Sequence, residues 1–313
     1  MIRYTAKRVA LSLFTLWGLA TITFFALRLL VPGDPIVLAL GPRATPEIIA
    51  QARASAGFDR PLLVQYWQFL ADTVRLDWGR SFSLNADVGS ILGQRVIPSI
   101  YLIGYGILIA FAVGVPLAVV SAVRQDRASD HGIRLGTTFL FGMPPFWLGL
   151  MIALVFGLKL RWFPVSGYEP GLGGILRTLT LPALTLGLSL VVLITRTLRS
   201  NLIATLGSDY IENARARGTS EVRIVGLLTM RVAIMPTLTL LAAIMGNVIG
   251  GTVVIESVFQ VPGAGTLLVQ SIFKRDYQLV SALTILAGAT VILLSLLMDL
   301  VQAALDPRVR LGE

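Results

Sequence analysis

Residues 99–123 read SIYLIGYGILIAFAVGVPLAVVSAV, a run without a single charged side chain. About 20 apolar residues suffice to cross the hydrocarbon core of a bilayer. Working outward, five further runs of similar length and composition lie at about 9–31, 135–158, 179–198, 234–258 and 279–305. The chain as a whole agrees. Of its 313 residues, 55% are hydrophobic and 14% charged, and its mean hydropathy is +0.79. A soluble domain carries about 25% charged residues, so the polar surface needed to cover a soluble fold of this length is missing. The expectation is an all-α integral membrane protein with six transmembrane helices.

The net charge of +9 then reflects the positive-inside bias of membrane proteins, not nucleic-acid binding. With no cysteine and a lone histidine, His131, disulfides, thiolate catalysis and Cys- or His-rich metal sites are excluded. The first run follows a basic start (Arg3, Lys7, Arg8). It exceeds a signal-peptide core in length and leads into LLVPGDPI, which offers no small-residue cleavage site. It reads as a retained anchor.

Basic residues orient the spans. One set of connections holds Arg3, Lys7 and Arg8, then Arg124, Arg127 and Arg134, then Arg196, Arg199, Arg215, Arg217, Arg223 and Arg231, and finally Arg308 and Arg310. The two short opposite loops hold Arg161, Arg177, Lys274 and Arg275. Both termini (1–8 and 306–313) are therefore expected in the cytoplasm. The long segment 32–98 is expected outside and helical. In TPEIIAQARASAG, Thr45 can cap, Pro46 starts and Gly57 stops a helix. In the next stretch Leu62, Tyr66, Phe69, Leu70 and Val74 fall at helical spacing.

Catalytic machinery is hard to find. No G-x-x-x-x-G-K-[ST] loop occurs, and QVPGAGTLL (260–268) has no lysine. Glu256 and Asp299 lie near opposite span ends instead of pairing at the midplane, which points to structural roles. Arg28 and Lys159 can snorkel from span ends. Gly246 and Gly250 form a G-x-x-x-G packing signal, and Pro116, Pro144, Pro145 and Pro236 bend their helices. A stand-alone secondary transporter would show inverted repeats and midplane ionisable groups, and neither stands out. A membrane-bound enzyme lacks its catalytic cluster.

One stretch breaks the apolar pattern. Residues 208–223 read SDYIENARARGTSEVR, within a connection of about 200–231. Asp209 with Glu212 three residues later forms a capping-box variant. Tyr210, Ile211 and Ala214 share a face, Gly218 can end the helix in the left-handed conformation, and Thr219 or Ser220 can cap a second helix beginning at Glu221. Spacing alone leaves two readings open: a solvated loop, or a rigid docking knob for a partner protein.

ENARARG, followed by Pro236 after the second helix, resembles the EAA motif of ABC importer permeases, with the glycine-to-proline spacing of the peptide-import branch. Asn213 stands where the first alanine of the motif usually is. VPGDP, DRPLLVQYWQFL, RLDWGRS, PPFWLG, WFPVSG, GGTVVIESVFQVPGAGTLLVQSIFKRDY and DLVQAALDPRVR occur in matching order. Together they resemble the first-permease type of the dipeptide/oligopeptide/nickel family from end to end. That resemblance implies the type I ABC importer permease fold in a bacterial or archaeal cytoplasmic membrane. It also implies a second homologous permease subunit, two ABC ATPase subunits that bind the ATP and Mg, and an extracytoplasmic solute-binding protein. The chain itself would hold no cofactor and catalyse no reaction. Asp209, Tyr210, Glu212, Asn213, Ala214, Arg215, Arg217 and Gly218 would form the helix that couples to an ATPase: Glu212 as cap and contact, Ala214 as packing residue, Arg215 and Arg217 as polar partners. Peptides are the implied substrate class, with glutathione, nickel chelates and oligosaccharides as the family's other cargoes.

Overall fold

A computed structural model describes residues 2–30, 37, 45–55, 57–81 and 83–305. The VPGDP motif at 31–35, Arg308 and Arg310 of the tail, and the side chains of Arg3, Lys7 and Asp299 lie outside the described residues. In chain order the helices are α1 Ile2–Phe25, α2 Pro46–Ser55, α3 Leu62–Arg75, α4 Val88–Val123, α5 Ala128–Phe141, α6 Pro145–Ile152 and α7 Leu172–Thr178. There follow α8 Thr180–Leu206, α9 Asp209–Ala216, α10 Glu221–Arg223, α11 Met230–Phe259, α12 Ala264–Phe273 and α13 Tyr277–Leu305. Wider π turns extend α1 (Ala26–Leu30) and α6 (Ala153–Lys159) and join α10 to α11 (Ile224–Thr229).

Five continuous helical stretches are long and apolar enough to cross a membrane: Arg8–Leu30, Val88–Val123, Thr180–Leu206, Glu221–Phe259 and Tyr277–Leu297. The third expected span is not straight. It is α5 and α6, bent by 105°, and six spans result when this pair counts as one. The cause lies in Gly142-Met143-Pro144-Pro145: proline supplies no N–H and holds the residue before it out of the helical region. Pro144 accordingly sits at φ −59 and ψ 139, outside the helix. The second span also differs from expectation. Its helix begins at Val88, not near residue 99, and runs for 36 residues, roughly 54 Å at 1.5 Å per residue.

The chain divides into two compact units. The first comprises Met1–Ser99 and Pro262–Leu293. Its core joins Val88 and Leu92 of α4, Leu267 of α12, and Leu279, Ala282 and Leu283 of α13. Asp276, fully buried, ties the polar parts together. Its carboxylate accepts from Ser81 Oγ at 2.6 Å, Ser83 N at 3.0 Å and Leu279 N at 3.3 Å. It thus caps α13 and holds Ser81 and Ser83, so the GRS and KRDY motifs meet. Thr45 Oγ1 accepts from Ile48 N at 3.5 Å, and Gly57, at φ +69, follows the end of α2, as the sequence indicates. α3 packs on the end of α1. Thr21 Oγ1 and Tyr66 OH lie 2.8 Å apart, and the Phe24 ring sits 5.5 Å from Tyr66 and 5.3 Å from Phe69. Arg28 does not snorkel freely: it donates to Gln65 Oε1 and lies 3.8 Å over the Phe58 ring. Beside it a cavity of about 480 Å³ is lined by Gln65, Gln68, Asp72, Asp77, Arg80 and Gln278.

The second unit, Ile100–Val261 and Leu294–Glu313, is organised around α8. Close approach between α4 and α8 requires glycine, since a Cβ at Gly187 would lie 2.9 Å from the Gly106 carbonyl oxygen. Ala118 and Ala122 of α4, Leu198 and Leu202 of α8, and Ala233 of α11 form a buried cluster. The Gly246/Gly250 signal is not used in this way, because nothing among the described residues lies within 4 Å of a Cβ at either position. Glu256 is fully buried, in keeping with its structural reading.

Candidate coupling site

α8 ends at Leu206, and the chain turns through Gly207 and Ser208 into α9, a helix of 8 residues. The cap differs from the expected box. Ser208 occupies the N-cap position at φ −85 and ψ 147, no side chain caps the helix, and Asp209 is its first residue. Ser208 Oγ instead donates to Thr205 O at 2.7 Å. The acidic residues Asp209 and Glu212 still lie in the first turn, where the exposed N–H groups and helix dipole favour negative charge. Asn213 Nδ2 donates to Asp209 O at 2.9 Å, an added internal tie.

The other end follows the sequence closely. Gly218 adopts φ +77, its N–H donates to Arg215 O at 2.9 Å, and Thr219 N donates to Ala214 O at 3.1 Å. These two bonds form a Schellman motif, and a side chain at that φ would be strained. Ser220 holds the N-cap position of α10, though its side chain makes no cap bond. Across the turn Arg215 grips Glu221 through two bonds, Nε–Oε1 at 2.7 Å and Nη2–Oε2 at 3.3 Å. The hydrogen bond to Glu221 raises the Arg215 pKa further above its already high value.

Burial sorts the residues of α9 and its closing turn into two groups, and it takes Tyr210 off the face expected to hold it with Ile211 and Ala214. Ile211 (0% exposed) and Ala214 (1%) face inward, toward the π turn that begins with the equally buried Ile224. Asp209, Tyr210, Glu212, Asn213, Arg215, Arg217 and Gly218 are exposed. Ala214 is thus a footing residue and presents nothing outward. Arg215 is committed to Glu221, whereas the Arg217 side chain makes no hydrogen bond or ion pair among the described residues. The result is a short rigid knuckle with an aliphatic base, closed ends and a polar outer face.

A second polar group in this unit escaped the sequence reading. Asp130, fully buried, receives Arg199 Nε at 2.8 Å and Nη2 at 2.6 Å, and also Ser121 Oγ and Asp126 N. The pair locks the start of α5 and the end of α4 onto α8, seven residues before α8 ends. No local spacing connects positions 121, 130 and 199, so only the folded chain reveals it.

Comparison with known proteins adds the decisive observation. Residues 114–311 match the model of the "Binding-protein-dependent transport system inner membrane component" family. Residues 1–94 match the N-terminal model of the same kind of membrane component. The chain belongs to this family. It is an inner-membrane transport permease of the dipeptide/oligopeptide/nickel type. It is 36% identical to a Brucella ovis protein named "Putative peptide permease protein", over 99% of each chain. It is also 33% identical to a glutathione transport system permease protein of Salmonella paratyphi A, again over 99% of each chain. Permease and relatives correspond from end to end.

Proposed function

We propose that this permease forms half of a translocation pore for di- and oligopeptides, paired with a second homologous permease subunit. An extracytoplasmic solute-binding protein delivers substrate, and two separate ABC ATPase subunits, which bind ATP and Mg, drive the cycle. The termini and the α8–α11 connection lie in the cytoplasm of a bacterial or archaeal cell. α9 docks on one ATPase as the coupling helix. The observation that supports this most is the knuckle itself: a short helix footed by Ile211 and Ala214, closed by Gly218 and polar outward.

Such an element passes on a rigid-body displacement, whereas a loose loop would absorb it. ATP-driven closure of the ATPase pair then biases the bundle between inward- and outward-open arrangements. The exposed Asp209, Tyr210, Glu212, Asn213 and Arg217 make the contact. The peptide assignment rests on the names of the relatives. Glutathione, itself a small peptide, is the second reading, favoured by the Salmonella relative.

Purification of the permease with the products of its neighbouring genes tests the proposal. ATPase subunits should co-elute, and uptake into vesicles should require ATP. Binding of peptides and glutathione to the partner solute-binding protein separates the substrates. An assembly in which α9 touches no ATPase overturns the coupling role.

A further inference from the structure

α3 presents three sectors. Tyr66 and Phe69 lie toward the packed side and touch Phe24 of α1 directly. Gln65, Gln68 and Asp72 line the adjacent cavity. The third sector is a stripe at i, i+4 and i+11: Leu63 (67% exposed), Trp67 (66%) and Val74 (84%). A contiguous exposed apolar stripe on a helix marks an interaction surface.

The depth of α3 identifies what covers the stripe. Tyr66 bonds Thr21, and Thr21 lies well inside the apolar stretch Arg8–Leu30. Nine residues separate Thr21 from Leu30, roughly 14 Å along the helix at 1.5 Å per residue. A hydrocarbon core is about 30 Å thick, so Thr21 lies near its middle, while Arg28, which bonds Gln65, lies roughly 3 Å from the same span end. α3 therefore sits within the leaflet in which α1 ends. On α1 and its π extension, Ile22 (68%) and Leu29 (64%), each next in sequence to a residue that bonds α3, are also bare. The stripe carries no charge.

We propose that α3 is a membrane-embedded helix whose Leu63, Trp67 and Val74 contact lipid acyl chains. It is then no water-exposed cap, and it does not cross the bilayer. It anchors the segment between the first two spans in the leaflet, with its polar sector turned toward the cavity. This reading is independent of the ATPase-coupling role of α9.

The chain has no cysteine, so single labels on it are clean once any cysteines of the other subunits are replaced. Leu63→Cys, Trp67→Cys and Val74→Cys are each spin-labelled in the transporter purified from membranes and returned to phospholipid vesicles. Collision with oxygen and with a water-soluble nickel chelate is then read by power saturation. Phe14→Cys on α1 and Glu47→Cys on α2 give apolar and aqueous references. Oxygen collision should exceed chelate collision several-fold at all three positions, as at Phe14. Chelate access matching Glu47 overturns the proposal in favour of water, and shielding from both probes overturns it in favour of a protein partner. Should Trp67→Cys lower the yield, Leu63→Cys and Val74→Cys carry the test, since neither touches the packed sector.

Discussion

α9 and α3 are built alike and finished differently. Each is a short helix seated beside a long apolar one, and each buries one face: Ile211 and Ala214 in α9, Tyr66 in α3. Their outward faces are opposites. α9 shows Asp209, Glu212, Asn213 and Arg217, whereas α3 shows Leu63, Trp67 and Val74. Because a buried face says only that a helix is anchored, the outward face carries the information about its surroundings. Polar chemistry on α9 suits water and a partner protein, and bare apolar chemistry on α3 suits lipid.

The largest expected effect tests how the end of α8 that leads into α9 is held. Arg199→Ala leaves Asp130 buried without its cation. Breaking a buried ion pair costs about 3–5 kcal/mol, and the lower end applies because the Arg199 side chain keeps 19% exposure. Denaturant unfolding of the detergent-purified permease should show a loss of about 3 kcal/mol. Adding Asp130→Ala should recover part of it, since the orphaned charge is then gone. An unchanged midpoint for Arg199→Ala would mean that water already solvates the carboxylate.

Next in size is a matched pair of backbone changes. Gly218 and Gly57 sit at φ +77 and φ +69, a region that costs other residues roughly 1–2 kcal/mol. Gly218→Val should abolish uptake while the complex still assembles, because the knuckle loses the turn that fixes its end. Gly57→Val imposes the same strain beside α3, and uptake should fall only as far as protein level falls. Equal losses of uptake per assembled complex would break the contrast between the two helices.

Much of this was legible in the sequence, for identifiable reasons. Span existence follows from run length alone, and the Gly218 turn from a residue type with one strong conformational use. The family resemblance carried by ENARARG and the flanking motifs agrees with the matched family and relatives. Long-range pairings were not legible. Nothing in the chain announces that Ser81 meets Asp276 or that Asp130 meets Arg199, because hydrogen bonds between distant segments leave no periodic trace. Packing signals can also mislead: Gly246 and Gly250 carry the familiar spacing, yet Gly106 and Gly187 make the close approach. The capping box failed by one position, since Asp209 is a good first-turn residue as well as a good cap.

The smallest stability effect sharpens the comparison most. Arg215 and Glu221 form a solvent-exposed pair, 43% and 62% exposed, and exposed pairs contribute little to folding because water screens them and their side chains lose freedom. Arg215→Gln should therefore leave the unfolding midpoint unchanged. The same pair spans the Gly218 turn and fixes the angle between α9 and α10, so its loss should loosen the knuckle without unseating it. Uptake should fall by a modest factor while the ATPase still co-purifies, and ATP hydrolysis should become less dependent on substrate. Glu221→Gln should reproduce this phenotype, since it breaks the same contact from the other side. A loss of ATPase binding with Arg215→Gln alone would instead assign the guanidinium to the partner, and the outward face of α9 would then have to include it.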